Sequence, residues 1–549
     1  MQPTRFTQDM IDEYVAKGYW DTVDLISVFK SVALQNAGKE SLADSTGKRM
    51  TWLQLDQLSD RLALAFLKFG LKKDDVVVAQ LPTTVENIAL KISLQKAGIL
   101  GAFPALTYKG EIEAILLKAD AAAFIGILNE RFDTLQYVLH RRTNFPSLKG
   151  IFFVGESQVP GALSIDELAG TITDEMMSST EHAQILQKAR CGPFETAFLV
   201  LTSGSTGIPK FCEWPVCAIK LYAQTVIERI LLTAEDTIGI IAPLSGAVGL
   251  TLWLAAICLG SKTALLEKFD AESALQLIEK ERITVGGMVP TQLIKMANCS
   301  NLGRYDLSSL RAVRVGGAPI APDVAAEVEN KMGCKVVRAA GSSESMTIGH
   351  TRIDDPDRIR LGSVGRPWRY NEVKIVDING QALPVNEAGE IWVRGPCTGS
   401  GYFRDVAETI KVWGILGREG WYRTGDLGRV DDKGNIRITG RIKNMILRGG
   451  QNIYPEEVEA VLALHPKVLE VVLVPMADPE MGEKACAFVT LRRKEGTFSF
   501  TEMVGFLRGT NIASFKIPER LEVIDKLPTV GEEAKVDRKA LALRLKEMN

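Results

Sequence analysis

Short apolar runs alternate with amphipathic stretches along most of this chain. Residues 76–79 are wholly apolar, while apolar positions at 85–97 recur at helical spacing and end at Gly98. A short apolar run between turn residues is typical of a strand that is buried on both faces. The alternation therefore predicts α/β layers in which most strands are parallel.

The same pattern places the other elements of the first 442 residues. Further strands are predicted at 100–104, 121–127, 197–201, 237–242, 262–266, 284–289, 310–315 and 335–338. Further helices are predicted at 6–20, 51–69 and 216–232, with another ending at 259. Residues 141–180 are polar and irregular, so no regular element is expected there.

The character of the chain changes near a charged turn at 431–434. Beyond it, the pattern predicts short strands at 468–474 and 485–491 and helices at 455–462 and 501–508. That remainder is long enough to fold as a small unit of its own. We therefore expect a large N-terminal domain at 1–442 and a small α+β domain at 443–549.

The amino-acid composition excludes several classes of function and of stabilising site. The 549 residues are 46% hydrophobic and 24% charged, and the net charge of -2 leaves no basic surface for nucleic acid. The eight cysteines are scattered and form no C-x-x-C pair, which argues against a zinc site and a disulfide framework. A reducing compartment follows, and since the N-terminus lacks the apolar core of a signal peptide, we expect a cytoplasmic protein.

One uncharged stretch, 237–260, has the length of a membrane span. Pro243, Ser245, Gly246 and Gly249 interrupt it, so a strand, a turn and a buried helix fit better. A membrane protein remains the outside alternative at this point.

A loop of small and hydroxyl residues follows the strand predicted at 197–201. Its members are Thr202, Ser203, Gly204, Ser205, Thr206, Gly207, Ile208, Pro209 and Lys210. Small residues let successive backbone N–H groups point into one concavity that binds an anion, and lysine adds a compact cation suited to phosphate. A plain polar turn is the alternative, and the spacing is not that of a P-loop NTPase.

These nine residues resemble the signature T-S-G-[ST]-T-G-x-P-K of the acyl-adenylate-forming superfamily, which contains acyl- and aryl-CoA synthetases, peptide-synthetase adenylation domains and firefly luciferase. Phe211 departs from the pattern, because the family usually has a small residue there. Other segments resemble the family in the same order, at 339–344, 389–395, 421–427, 440–459 and 527–538. The resemblance implies a large multi-layered α/β domain and a small mobile lid, with ATP, Mg²⁺ and coenzyme A.

The resemblance also assigns roles to single residues. It makes Lys535, Thr206, Lys210 and Glu344 catalytic, with Glu344 also holding Mg²⁺, for which a carboxylate is a suitable ligand. It assigns nucleotide binding to Thr202, Ser203, Gly204, Ser205, Gly207, Gly317, Ala318, Pro319, Ala340, Gly341, Ser342, Ser343, Asp426 and Arg441. The plain alternatives are a helix N-cap at 342–344 and an Asx turn at Asp426.

The last two matches concern the small domain. The resemblance makes Lys443 the hinge and places Gly449 and Gly450 against the pantetheine of coenzyme A. Two departures weaken the pattern: Ala340 replaces an aromatic residue that stacks on adenine, and Ala534 replaces the glycine before Lys535.

The residues expected around the acid are small. They are Ser245, Gly246, Ala247, Gly316 and Ser345. Serine and glycine at 245–246 replace an aromatic-histidine pair that is common in the family, which would widen the entry. No cation among them marks a dicarboxylate, so an aromatic, alicyclic or medium-chain acid is favoured.

The sequence thus predicts an AMP-forming carboxylate–CoA ligase that works through an acyl-adenylate. Two alternatives stay open: a stand-alone aryl-acid AMP ligase that loads a carrier-protein thiol, and a non-catalytic nucleotide-binding descendant. The partners expected are a small carboxylic acid, ATP and CoA, with neither nucleic acid nor a membrane span, and a homodimer is left open.

Overall fold

A computed structural model describes residues 1–128, 133–155, 158–202, 209–414, 420–449, 451–492, 496–510, 512–530 and 535–548, apart from the side chains of Asn452 and Lys535. Its helices are α1 (Gln8–Ala16), α2 (Leu25–Gln35), α3 (Trp52–Phe69), α4 (Val85–Ala97), α5 (Ile112–Ala119), α6 (Thr134–His140), α7 (Ile165–Gly170), α8 (Asp174–Met177), α9 (Thr180–Ala189), α10 (Val216–Ile230), α11 (Ala247–Leu259), α12 (Ala271–Glu281), α13 (Pro290–Ala297), α14 (Pro322–Met332), α15 (Asp357–Arg360), α16 (Val406–Trp413), α17 (Pro455–Leu462), α18 (Phe500–Arg508) and α19 (Arg538–Glu547).

The strands are β1 (Glu40–Asp44), β2 (Arg49–Thr51), β3 (Val76–Ala79), β4 (Leu100–Ala102), β5 (Ala123–Ile127), β6 (Gly150–Val154), β7 (Leu163–Ser164), β8 (Thr196–Leu201), β9 (Phe211–Pro215), β10 (Thr237–Ile240), β11 (Lys262–Leu265), β12 (Val285–Met288), β13 (Ala312–Val315), β14 (Lys335–Ala340), β15 (Gly349–His350), β16 (Glu372–Val376), β17 (Gly389–Arg394), β18 (Tyr422–Val430), β19 (Ile436–Arg441), β20 (Ile446–Arg448), β21 (Gln451–Ile453), β22 (Val468–Asp478), β23 (Gly482–Leu491), β24 (Arg520–Val523), β25 (Thr529–Val530) and β26 (Lys535–Val536).

Two large, mostly parallel sheets carry the first part of the chain. Sheet I has the strand order β15-β14-β13-β12-β10-β11-β1-β2, and only its edge strands β15 and β2 pair in antiparallel fashion. Sheet II has the order β7-β6-β5-β3-β4-β8-β9, with β9 antiparallel at its edge. In such sheets the carboxyl ends of parallel strands share one edge, where ligands bind.

The largest apolar core joins the two sheets. It combines one face of each sheet with the helices α3, α4, α10 and α11, through residues such as Val77, Leu90, Ala218, Ile240 and Leu254. Helix α3 begins at a capping box formed by Thr51 and Gln54, which satisfies two backbone donors at the helix start. The layers therefore hold the carboxyl ends of β8, β10, β13 and β14 in fixed positions.

The remaining sheets are largely antiparallel. Sheet III has the order β16-β17-β18-β19, and sheet IV has the order β21-β20-β23-β22 with β24 beside β23. A 3₁₀ turn at Ile442–Asn444 joins β19 of sheet III to β20 of sheet IV. Strands β25 and β26 form a separate hairpin.

Most of the predicted elements are observed, but the expectation for 141–180 is wrong. That segment contains β6, β7, α7 and α8. Strand β6 is a five-residue apolar run that is mostly buried, and Ser164 and Glu167 form a capping box that starts α7. The uncharged stretch at 237–260 forms β10, a turn and α11. Among the described helices, none has both the length and the apolar character needed to cross a membrane.

Candidate active site

The two ends of the glycine-rich loop are fixed to each other. Strands β8 and β9 pair in antiparallel register with Leu201 opposite Phe211, and the Thr202 N–H donates to the Lys210 carbonyl across 2.9 Å. The Lys210 N–H in turn donates to Thr202 Oγ1 across 3.1 Å. Of the predicted phosphate-binding residues, Ser203, Gly204, Ser205, Thr206 and Gly207 lie outside the described residues.

Phe211, which departs from the family pattern, has a structural explanation. Its side chain is 1% exposed and packs in the core of sheet II beside Leu199 and Phe403. The large side chain therefore points into the core beneath the loop.

Lys210 takes part in a chain of contacts that ends at Glu344. The Lys210 ammonium contacts Glu408 Oε1 at 2.5 Å and lies 4.9 Å from the centre of the Tyr402 ring. The Tyr402 hydroxyl donates to Glu344 Oε1 across 2.8 Å. Burial, and then the charge of Glu344, raise the pKa of Tyr402, so its hydroxyl keeps the proton that it donates.

The predicted metal carboxylate stands on a tightly bonded turn after β14. Ser342 Oγ accepts hydrogen bonds from the N–H groups of Glu344 and Ser345, each across 3.2 Å, and lies 3.0 Å from the Tyr422 hydroxyl. Ser343 Oγ donates to the Leu201 carbonyl across 3.2 Å. The turn is therefore fixed directly to the end of β8, beside the loop.

Gly341 and Met346 show that this turn is conformationally constrained. A Cβ atom at Gly341 would collide with the Met346 carbonyl oxygen, so only glycine fits. Met346 is buried and has a φ of 54°, a left-handed conformation that is costly for a residue with a side chain. Such strain clusters at functional sites.

Asp426 and Arg441 form an ion pair between neighbouring strands. Arg441 Nε lies 2.7 Å from Asp426 Oδ1, with the aspartate side chain 6% and the arginine side chain 47% exposed. Burial raises the pKa of the Asp426 carboxyl, although Arg441 opposes the shift. Gly425 has a φ of 70°, and its N–H donates to Glu390 across 3.0 Å, which fixes the turn that precedes the carboxylate.

The residues expected around the acid lie at the carboxyl edge of sheet I. Ser245, Gly246 and Ala247 follow β10, and Gly316 with the exposed Gly317, Ala318 and Pro319 follows β13. A Cβ atom at Gly316 would lie 3.2 Å from Val248 of α11 and 3.1 Å from the Ala339 carbonyl. The buried Ser345 accepts from the Ser342 N–H across 3.1 Å.

Ala340 occupies the last position of β14 opposite Gly349, and its carbonyl accepts from the Ile348 N–H across 2.7 Å. Its methyl group packs against the apolar cluster that contains Ile348 and Ile391. The alanine therefore contributes to packing at a position where an aromatic ring is common in the family.

The predicted residues of the small domain are less completely described. Lys443 lies in the 3₁₀ turn at Ile442–Asn444, and Gly449 has a φ of 53° and donates its N–H to the Met481 carbonyl across 2.8 Å. Gly450 lies outside the described residues. The backbone of Lys535 pairs with Val530 in the β25–β26 hairpin.

The segment after Lys535 is strongly anchored. Arg538 begins α19 and makes two hydrogen bonds to Glu459 of α17, across 2.7 and 2.8 Å. The same arginine donates to the Leu473 carbonyl across 2.6 Å. A bidentate arginine–carboxylate pair of this kind fixes orientation as well as distance.

Sequence reasoning missed several residues that shape this site. These are Trp214, Glu390, Tyr402, Glu408 and Tyr422. Tyr422 lies within the 421–427 match but was given no role, and Tyr402 follows the Gly-Ser-Gly run at 399–401, so a search for side-chain donors near glycine turns would have found both. Glu408 and Trp214 carry no such local signal.

Glu344 is a suitable ligand for a magnesium ion. Within the described ranges no group of three or more His, Cys, Asp or Glu side chains could hold a metal ion. Mg²⁺ at phosphate-transfer sites takes one or two carboxylates and completes its shell with phosphate oxygens and water. Glu344, on a turn fixed to the end of β8, could supply such a carboxylate.

Comparison with known proteins identifies the family of this chain. The AMP-binding enzyme family matches residues 29–403, and the AMP-binding enzyme C-terminal domain matches residues 457–533. The chain is 32% identical to "Triostin synthetase I" of Streptomyces triostinicus over 97% of this chain and 96% of that protein. It is 30% identical to "Medium-chain fatty-acid--CoA ligase" of Escherichia coli (95% and 91% covered) and to "2,3-dihydroxybenzoate-AMP ligase" of Bacillus subtilis (99% and 98% covered).

A solved structure extends the likeness to the fold. The amide bond synthetase McbA from Marinactinospora thermotolerans is 27% identical and superposes with a TM-score of 0.81 over 95% of this chain and 99% of that one. The predicted fold class is therefore confirmed, as is the resemblance noted in the sequence. The chain belongs to the AMP-binding enzyme family and is an adenylate-forming enzyme that uses ATP and a carboxylic acid.

Proposed function

We propose that the protein is an AMP-forming carboxylate–CoA ligase acting on an aromatic, alicyclic or medium-chain acid. The observation that carries this proposal is the contact chain Lys210–Tyr402–Glu344 at the base of the phosphate loop. It brings a cation and a metal-binding carboxylate to the carboxyl ends of β8 and β14, where the triphosphate of ATP would lie.

In the first half-reaction, a carboxylate oxygen of the acid attacks the α-phosphorus of ATP. The bond from that phosphorus to the bridging oxygen breaks, and pyrophosphate leaves. Loop residues 202–210 bind the phosphates, Asp426 accepts from the ribose hydroxyls, and Arg441 bridges ribose and phosphate. A Mg²⁺ ion held by Glu344 would offset negative charge there, and Lys535 stabilises the charge that develops on the α-phosphate.

In the second half-reaction, a thiolate sulfur attacks the acyl carbon of the adenylate. The bond from that carbon to the phosphate oxygen breaks, and AMP leaves. We propose that residues 443–549 form a domain that turns about Lys443 between the steps, which removes Lys535 and presents Gly449 and Gly450 to coenzyme A. The 3₁₀ turn that carries Lys443 joins two separate sheets, which supports a hinge at this point.

The thiol acceptor of the second half-reaction has two candidates, coenzyme A and a carrier-protein thiol. Relatives of equal identity are named as a CoA ligase and as an AMP ligase, so a carrier-protein thiol is the second candidate. The segment Asn452–Pro455, which resembles CoA ligases more than carrier-loading enzymes, favours coenzyme A.

The test is pyrophosphate release and thioester formation with a panel of aryl, alicyclic and alkyl acids. Coenzyme A and a phosphopantetheinylated carrier domain are offered separately as acceptors. We expect acyl-CoA to form with at least one acid in the panel. Pyrophosphate release with transfer only to the carrier would establish the second candidate, and no pyrophosphate with any acid would indicate a non-catalytic nucleotide-binding protein.

A further inference from the structure

Arg314 is a fully buried arginine in the middle of sheet I. It lies on β13 and is 2% exposed. Its Nε donates to His350 Nε2 across 3.1 Å, and its Nη2 donates to the Tyr222 hydroxyl across 2.8 Å. Within the described part of the chain, its Nη1 has no hydrogen-bond partner.

The two side chains that accept hydrogen bonds from this arginine are neutral. His350 Nδ1 lies 2.6 Å from the Thr351 carbonyl, so Nδ1 carries the proton that it donates and Nε2 is left to accept from Arg314. Burial, and then the charge of Arg314, lower the pKa of His350 well below its ordinary value, so the imidazole is uncharged. A buried charge normally has an opposite charge as its partner, because desolvation without one is costly.

The arginine lies on the same side of sheet I as the expected acid pocket. Gly316 follows β13, and a Cβ atom there would lie 3.2 Å from Val248 of α11. Arg314 is two positions earlier, and side chains two positions apart in extended backbone project to the same face. Gly287 pairs with Arg314 across β12 and β13, and a Cβ atom there would collide with Leu252 of α11. This face therefore packs against α11, whose first residues line the expected pocket.

Aromatic residues connect Arg314 to the phosphate end of the site. The Tyr222 ring lies 6.4 Å from the ring of Trp214, and Trp214 Nε1 donates to the Ser343 carbonyl across 2.7 Å. On its other side, the Tyr222 ring meets Trp368 edge-on at 5.4 Å, and Trp368 stacks on His350. A continuous series of buried aromatic rings thus links Arg314 to the turn that carries Ser343.

We propose that Arg314 binds a second carboxylate at the far end of the acid, so that the substrates are dicarboxylic acids. This inference rests on the proposed function and narrows its substrate class. The second carboxylate would accept from Nη1 and neutralise the guanidinium. None of the five residues expected to surround the acid is a cation. Arg314 is not one of the five, since it lies on β13, two positions before Gly316.

The test compares acids of equal shape that differ in one terminal charge. Terephthalate is paired with 4-isopropylbenzoate, and adipate is paired with 6-methylheptanoate. An aromatic and an aliphatic diacid are thus each compared with a monoacid of similar shape. We expect pyrophosphate release to show a higher kcat/KM for the diacid in at least one pair. Arg314→Met should lower that kcat/KM roughly 10- to 100-fold, mainly through KM, and change the plain acid less than about three-fold.

Arg338 supplies a matched control. It is a partly buried arginine on the neighbouring strand β14, and it pairs in register with Val315, which packs in the core on the opposite face. Arg338→Met should leave the ratio of the two kcat/KM values unchanged. The same loss of diacid preference in both variants would contradict a specific role for Arg314.

The possible results separate the inference from the function on which it rests. Activity with plain acids but no diacid preference would overturn the inference and leave the ligase proposal standing, whereas no pyrophosphate with any acid would remove both. A purely structural role predicts a large fall in Tm for Arg314→Met, while removal of an uncompensated charge predicts an equal or higher Tm. If Arg314→Met does not fold, Arg314→Lys is the substitute, because it keeps the positive charge but lacks the planar guanidinium group. An unchanged KM for the diacid in Arg314→Lys would contradict the proposal.

Discussion

The Tyr402 hydroxyl donates a hydrogen bond to Glu344 Oε1 across 2.8 Å, and the two residues are 58 positions apart in the chain. The same tyrosine ring contacts the Lys210 ammonium. One side chain thus orients both the carboxylate that would hold magnesium and the cation that would face the phosphates. Tyr402 is therefore a positioning residue for two groups of the proposed chemistry.

Tyr402→Phe should lower kcat/KM for pyrophosphate release by roughly ten-fold or more, because a hydrogen bond to a charged group is lost while the ring remains. We expect the magnesium concentration needed for half-maximal rate to change as well. Tyr370→Phe is the control, since the Tyr370 ring stacks on Tyr19 at 4.2 Å, away from Glu344. Equal rates for the parent and Tyr402→Phe would show that Glu344 needs no orientation by the tyrosine.

Asp426→Asn should weaken ATP binding without weakening the fold. Because burial raises the pKa of Asp426, folding disfavours its charged form, so a neutral amide should give an equal or higher Tm in the absence of ligand. The amide presents one acceptor instead of two, and we expect KM for ATP to rise roughly ten-fold. Thermal unfolding with and without ATP measures both effects, and a lower Tm without ligand would refute the first.

The same carboxyl should make ATP binding sensitive to acid. Its raised pKa means that the folded protein takes up this proton at a higher pH than an ordinary aspartate does. As the pH falls through that raised pKa, one of the two ribose acceptors is lost, so the increase in Tm caused by ATP should shrink. Without ATP the sign is opposite: the stability contributed by this group is present below the unfolded pKa and is lost as the pH rises through the folded pKa. Both trends should disappear in Asp426→Asn.

Lys535→Ala should separate the two half-reactions. Loss of a cation that stabilises the α-phosphate should slow adenylation roughly 10²- to 10³-fold. Thioester formation from a supplied acyl-adenylate should continue at the parental rate, because Lys535 is withdrawn for that step. Stopped assays of each half-reaction give the comparison, and an equal loss in both would exclude a mechanism in which the lysine leaves the site.

Lys443→Pro should have the reverse effect. Proline fixes φ near −65°, which suits a 3₁₀ turn but prevents the backbone rotation that a hinge requires. We expect adenylation to be kept and thioester formation to slow, with Lys443→Ala as the control that keeps rotational freedom. An unchanged overall rate would argue against a hinge at this residue.

Much of the site is local in the chain, and that part could be predicted from the sequence. The turn that carries Ser343 and Glu344 follows a strand, and Asp426 follows a tight glycine turn, so both were visible as contiguous motifs. Glu408 could not be predicted, because it meets Lys210 from 198 positions away, on a helix with no motif. Strand β6 was missed because the surrounding prolines and polar residues concealed a short apolar run.

Arg314 illustrates a different limit. A charged residue within an apolar strand indicates an interruption when only the sequence is known. Its environment becomes visible only when α10 and β15 bring Tyr222 and His350 to the guanidinium. Long-range packing decides whether such an arginine is exposed at the edge of a sheet or buried inside it. The local sequence pattern does not contain that information.

The ion pair between Asp426 and Arg441 means that, under the proposed function, the nucleotide would approach a carboxylate that already has a partner. Arg441 Nε contacts one oxygen of the buried aspartate, and a ribose hydroxyl that took this place would release the guanidinium. The released guanidinium would then be available to a phosphate, immediately before the turn that contains Lys443. Nucleotide binding would thus give Asp426 the ribose as its partner and give Arg441 a phosphate. The binding of ATP would thereby change the contacts of the segment that joins sheets III and IV.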